Sequence, residues 1–224
     1  MPEKEVSKVK YFISRERKKA LLNEWLAKRL AAAGYSSMKV ITSPTGMLGT
    51  KIIIRVLRPG LVIGRRGSRI KQLSEEIEKL FGYENVRISV YEVEDPELDP
   101  NIMAWQIERQ LLRGVRYRRV GFWALRVIRG AGAAGAEIVI SGKLRTVRSA
   151  YEKFTSGVLL KSGELAERLV RTAKRPVLTK QGIIGIKVSI MPISLEEYLA
   201  QQVKEKEVSE GVEVSGGEEK AEGA

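Results

Sequence analysis

Residues 62–73, Val-Ile-Gly-Arg-Arg-Gly-Ser-Arg-Ile-Lys-Gln-Leu, constrain the fold of this chain more than any other stretch. They follow a β-branched run, Lys51-Ile52-Ile53-Ile54-Arg55-Val56-Leu57, and open onto apolar positions Ile70, Leu73, Ile77 and Leu80. That spacing puts the four side chains on one helix face. Gly64 and Gly67 flank Arg65 and Arg66 at the start of that helix, with Arg69 and Lys71 just inside it. The first backbone N–H groups of a helix have no internal partner, and its dipole favours negative charge there. Glycine has no Cβ, so a nucleic-acid backbone can approach the loop closely. A plain tight turn with solvated arginines is the competing account. It leaves unexplained why strand, Pro59-Gly60, apolar pair, both glycines and helix follow in this order.

Charge points to the same kind of partner. The chain has 224 residues, a net charge of +13 and a pI near 9.9, the footprint of a protein that meets nucleic acid or an anionic membrane. Residues 201–224 hold seven Glu and three Lys, a net −4 that leaves +17 on the rest. Such a low-hydrophobicity tail is expected to be disordered. With neither Cys nor His, the chain is without disulfides, ordinary zinc ligands, thiol nucleophiles or imidazole bases. No acidic cluster suggests a magnesium site, so neither catalytic residues, nor a metal, nor a cofactor is expected. No apolar signal core or 18-residue apolar run is present, which predicts a soluble intracellular protein with no membrane partner.

Reading along the chain, a first helix is expected over Arg15–Ala33, with Ser14 as N-cap, Gly34 closing it, and Leu22, Trp25, Leu26 and Leu30 as its buried stripe. Strands are expected at Met38–Thr42, Thr50–Leu57 and Val86–Val93, with a turn at Ser43–Gly46. Helix, two strands, a short helical turn, GXXG, helix and strand is the order of a type II KH domain. The loop resembles the KH GXXG clamp, which holds about four nucleotides of single-stranded backbone.

An acidic, proline-punctuated connector, Glu94–Pro100, follows, with Asp99 placed to cap the next helix and Pro100 at its first position. That helix carries Ile102, Met103, Ile107 and Leu111, and another is expected over Val115–Arg129. Further strands are expected at Glu137–Ser141, Gly157–Leu160 and Ile183–Met191. Leu165–Ala173 suits a helix by spacing and a strand by its neighbours, with the strand favoured. Gly130-Ala131-Gly132-Ala133-Ala134-Gly135 fits G-x-G-x-x-G, but a helix precedes it and a strand follows. That is the reverse of a dinucleotide fingerprint, so the segment reads as a connector. On the second helix Val120, Ala124, Val127 and Ile128 share a face with Tyr117, while Arg116, Arg118, Arg119, Arg126 and Arg129 occupy much of the other side. Phe122 and Trp123 fall within the arginine arc, either as stacking platforms for bases or packed on the protein itself. Five like charges on one helix repel each other and call for an anionic partner.

The KH segment, Tyr117-Arg118-Arg119, the run Gly132–Leu144 and the run Gln181–Val188 together resemble the universal S-three family of small-subunit ribosomal proteins, in its archaeal or eukaryotic form. The resemblance covers about residues 5–195. It implies an α+β fold: a type II KH domain over 14–94, a small two-layer α/β domain over 95–194, and a disordered acidic C-terminal tail over 195–224. It further implies a structural, non-enzymatic constituent of the subunit head that binds ribosomal RNA beside neighbouring head proteins. Such a protein lines the channel by which messenger RNA enters, helps unwind it, and is found on ribosomes in the cytoplasm. RNA contacts are expected at Gly64, Arg65, Arg66, Gly67, Arg69 and Lys71. A second set is Arg116, Arg118, Arg119, Arg126, Arg129, Lys143, Arg145 and Arg148, with Arg118 and Arg119 facing the channel. Where bacterial relatives carry a further basic residue after the arginine pair, this chain has Phe122 and Trp123. The alternatives are a free-standing KH regulator of single-stranded RNA, which the arginine-dense second half disfavours, and a nucleic-acid lyase or nuclease, for which no lysine stands out.

Overall fold

The structure, a computed structural model, describes residues 8–42, 49–83 and 85–200. The expected turn at Ser43–Gly46 and the acidic stretch 201–224 lie outside the described residues.

The N-terminal half is three strands covered on one side by helices. Helix α1 (Lys8–Arg29) buries Leu22 and Leu26 and half-buries Trp25, and Leu30, just past its last residue, is buried in continuation of the same i, i+4, i+8 stripe. It starts well before Arg15, so Ser14 is no N-cap. Inside the helix, the Ser14 hydroxyl donates to the Tyr11 carbonyl at 2.8 Å. A 3-10 turn (Ala31–Ala33) ends at Gly34, whose φ of 72° is left-handed as expected. Strands β1 (Tyr35–Thr42) and β2 (Thr50–Val56) pair antiparallel. Strand β3 (Val86–Glu92) pairs parallel to β2 after the helical crossover, α2 (Pro59–Ile63) and α3 (Ser68–Phe81). Alternation along β2 sends Ile52, Ile54 and Val56 inward against Leu22, Leu26, Val62, Leu73 and Ile77. Each large apolar side chain so buried contributes about 1.5–3 kcal/mol relative to exposure. Leu80 departs from the helix face predicted for it. It is exposed while Leu73 and Ile77 are buried, and in the last turn of α3 Phe81 packs against the core in its place, edge-on to Trp25.

The C-terminal half is a four-stranded antiparallel sheet with two helices on one face. Asp99 caps α4 (Pro100–Leu112) as expected, its Oδ1 accepting from the Asn101 N–H at 2.8 Å. Helix α5 (Tyr117–Gly130) follows, then β4 (Gly135–Gly142), β5 (Ala150–Gly157), α6 (Glu164–Leu169), β6 (Arg171–Thr179) and β7 (Gly182–Met191), in sheet order β5-β4-β7-β6. Met103, Ile107, Val120, Ala124 and Ile128 of the helices meet Ile138, Ile140, Phe154, Ile186 and Val188 of the sheet.

Three further expectations need correction. The strand lies at Ala150–Gly157, not Gly157–Leu160: β5 is a polar edge strand whose one fully inward apolar residue, Phe154, gave little hydrophobic signal. Leu165–Ala173 is both helix and strand, changing at Val170. The tail does not begin at 195, since residues 195–200 are helical. Ser194 and Glu197 cap that turn reciprocally, each accepting from the other's backbone N–H at 3.2 Å.

The two halves meet where α4 leans on β1. The Ser36 hydroxyl donates to Asp99 Oδ2, and Asn101 Nδ2 donates to the Ser36 carbonyl at 3.0 Å. Among the described residues no helix is long and apolar enough to cross a membrane.

Candidate nucleic-acid interface

The glycine loop joins α2 to α3 through backbone that most side chains avoid. Gly64 has φ 72° and ψ −178°, Arg66 φ 51° and Gly67 φ 74°, so three of the four loop residues are at positive φ. A Cβ on Gly64 would come within 2.8 Å of the Arg69 stem, whereas one on Gly67 would meet nothing nearer than 3.8 Å. Gly64 is thus fixed by conformation and space, Gly67 by conformation alone. Arg69 folds back to donate to the Leu61 carbonyl at 3.1 Å, which ties α3 to α2 beneath the loop. Arg65, Arg66 and Lys71 are exposed and have no ion pair among the described residues. Two open grooves border the loop. One of about 610 Å³ is lined by Gly60, Gly64, Arg65 and Ser68. The other, of about 310 Å³, runs between α1 and α3, where Arg29 pairs with Glu76 at 2.7 Å.

The second basic surface lies on α5 and the loop after β4. Arg116, Arg118, Arg119, Arg126 and Arg129 are all exposed, on the side of α5 away from its buried Val120, Ala124 and Ile128. The structure divides them by what they touch. Arg118 is held by Glu152 on β5: its Nε donates to both carboxylate oxygens, at 3.0 and 3.1 Å, and Nη2 to Oε1 at 2.7 Å. Arg145 reaches the same carboxylate at 2.7 Å and donates from Nε to the Tyr117 hydroxyl at 2.6 Å. The Arg118 hydrogen bond, the largest influence, together with the charges of Arg118 and Arg145 holds the Glu152 carboxyl below the usual carboxylate range, against desolvation, which opposes them and ranks second. Arg129 donates weakly to the Ala134 carbonyl at 3.4 Å and lies against the close approach of β4 and β5. Arg116, Arg119, Arg126, Lys143 and Arg148 are exposed without an ion pair among the described residues. Trp123 packs against the C-terminal core. Phe122 is 63 % exposed, and among the described residues its one aromatic contact is edge-on to Phe154 at 5.3 Å.

Sequence reasoning missed Glu152 because it missed β5. Once the strand is known, Glu152, Phe154 and Ser156 alternate towards the helices, which puts the carboxylate under the start of α5. Among the described residues no group of three or more acidic side chains is placed to hold a metal ion.

A KH-domain model matches residues 21–98, and a model described as ribosomal protein S3, C-terminal domain, matches 107–190. The chain is 48 % identical to small ribosomal subunit protein uS3 of Thermofilum pendens over 76 % of its own length and 83 % of the relative's. It belongs to the uS3 family. The Methanocaldococcus jannaschii member is 44 % identical over 80 % of this chain and 85 % of its own. That of Saccharolobus solfataricus is 40 % identical over 85 % and 82 %. Membership of uS3 accounts for the glycine loop and the arginine helix in one chain, one in each matched segment.

Proposed function

We propose that this uS3 chain is a structural, non-catalytic constituent of the small ribosomal subunit, in the cytoplasm, where it binds ribosomal RNA beside neighbouring ribosomal proteins and lines the path by which messenger RNA enters. The boundaries that go with this role are a KH unit over 14–94, an α/β unit over 95–194 and the remainder from 195. Gly64 and Gly67 admit a sugar-phosphate backbone to the loop, Arg65 and Arg66 meet its phosphates, Lys71 adds charge, and Arg69 braces the loop from below. On the second unit Arg116, Arg119, Arg126, Arg129, Lys143 and Arg148 supply phosphate contacts, which position without reading sequence. Arg118 and Arg145 belong to the same surface in a fixed arrangement.

The observation that carries the reading is the pairing of Arg118 with Glu152 beside a free Arg119. One guanidinium is pinned in place and the next is available as a bidentate fork for phosphate. A fixed array of forks beside a moving RNA strand favours the separated strands over a duplex that does not fit it. Arg118→Ala with Arg119→Ala is expected to leave folding intact and to slow passage of subunits through structured messenger. Unchanged passage would reject the channel assignment. The ribosomal assignment has its own test. The tagged protein should co-sediment with small subunits stoichiometrically as salt is raised, whereas a pool stripped into the light fractions by modest salt would mark a reversible RNA regulator.

A further inference from the structure

The first sheet has helices on one face only, and its other face is cationic. Nine side chains point outward from it in three rows set by the strand register: Ile41, Lys51 and Arg87; Lys39, Ile53 and Ser89; Ser37, Arg55 and Tyr91. Four of the nine are Lys or Arg and none is acidic. Lys39, Lys51, Arg55 and Arg87 are all exposed, and none has a carboxylate within ion-pair distance among the described residues. Lys51 and Arg87 are direct register partners, an arrangement that destabilises a sheet unless something neutralises it. Lysines on an edge strand are a common guard against aggregation, but Lys51 and Arg55 sit on β2, the central strand. Ile41, Ile53 and Tyr91 cross the face diagonally between the cations, with Ile41 and Tyr91 largely exposed. At one end of the face, Ile53, Arg55 and Tyr91 share a groove of about 1030 Å³ with the carboxylates Glu92, Glu94, Asp95 and Asp99 and with Arg171 and Thr172 of the second unit.

We propose that this helix-free face of the KH sheet is a second RNA-binding surface, in which Lys39, Lys51, Arg55 and Arg87 hold the phosphates of one strand and Tyr91 offers its ring to a base. It rests on the ribosomal reading above and adds a site on a different side of the domain from the glycine loop. An RNA strand fits better than a protein partner, because protein interfaces are depleted in lysine and in charge at their centre, whereas here the charge is central. Phosphates answer four unpaired cations, and an exposed aromatic among them is the arrangement single-stranded RNA uses for stacking.

The test uses the full chain with Lys39, Lys51, Arg55 and Arg87 all changed to Gln, and a reference variant, Arg65→Gln with Arg66→Gln. Binding to transcribed small-subunit ribosomal RNA is measured across a salt series. The fourfold variant should bind more weakly, with a log–log salt slope shallower by about three, since each lost phosphate contact removes about 0.7–0.9. Replacing the same residues by the other basic residue (Lys→Arg, Arg→Lys) should restore the slope. If the fourfold variant fails to fold, Lys51→Gln with Arg87→Gln is compared alone, with a slope change of about 1.5 expected. A wild-type slope in the folded Gln variants, alongside a weakened reference variant, would overturn this surface and leave the ribosomal reading standing. No specific binding by the unmodified chain would overturn both. Unchanged RNA binding together with subunits that lack a neighbouring protein would also overturn it, in favour of an acidic protein partner.

Discussion

Gly135 shows how little room single positions have in this fold. A Cβ there would lie 1.9 Å from the Val158 carbonyl oxygen, a backbone atom with nowhere to go, at the point where β4 and β5 close together. This is the physical content of Gly130-Ala131-Gly132-Ala133-Ala134-Gly135: a tight helix-to-strand passage, as the order of its neighbours implied. Gly135→Ala is expected to destabilise the protein by about 1–3 kcal/mol, as overpacking does, measured by denaturant midpoint; wild-type stability would mean that the strands part easily. Glu152 is the other residue whose effect exceeds its size. Its carboxyl is held below the ordinary range chiefly by Arg118, so the Arg118–Glu152–Arg145 network is present above that range and dissolves only as pH falls through the lowered value. An NMR titration should place the Glu152 midpoint below that of a free glutamate, and Arg118→Ala should return it upward. A midpoint unaffected by the loss of Arg118 would deny the pairing in solution.

At the scale of elements, the glycine loop is strained where the proposed RNA contact needs it. Gly64→Asp and Gly67→Asp both force an L side chain to positive φ and add negative charge, but only the first also collides with Arg69. Both should weaken RNA binding by the full chain, and Gly64→Asp should lower the melting temperature more; equal melting with wild-type affinity would refute the clamp. Elements with strong periodicity were readable from sequence. The α1 stripe, β2, the glycine loop with α3, the Asp99 cap, α4 and α5 all lie where spacing put them. What was not readable has a common cause, a weak hydrophobic pattern. β5 is an edge strand of Lys, Glu, Thr and Ser around one Phe, and β6 is an edge strand interrupted by Pro176, which edge pairing tolerates. α6 is too short for periodicity to show. The Ser194–Glu197 capping box was visible as S-x-x-E, yet it was hidden by the charge of the tail that follows. Of the proposed site, the arginines were legible as charge, whereas their division into pinned and free depends on Glu152 across a strand pairing that no local pattern encodes.

At the scale of the whole molecule, two separately cored units present cations on several sides, and their relative placement depends on few polar contacts. Asp99 does two tasks at that junction. One oxygen caps α4 through Asn101, and the other accepts from Ser36 on β1, so the start of the second unit is bonded to the first sheet. These bonds tie the unit that carries the glycine loop to the unit that carries the arginine helix. Asp99→Ala removes the cap and the bridge together and should cost about 2 kcal/mol, about one for each. Asp99→Ser keeps a capping oxygen but is too short to reach Ser36 while capping, so about half of that loss should be recovered. Hydrogen exchange separates the two effects. In Asp99→Ala protection should fall at the first turn of α4 and along the start of β1, while in Asp99→Ser it should fall at β1 alone. Equal protection of β1 in all three proteins would mean that packing of Trp105 near Gly34, and not the Asp99–Ser36 bond, sets the angle between the units.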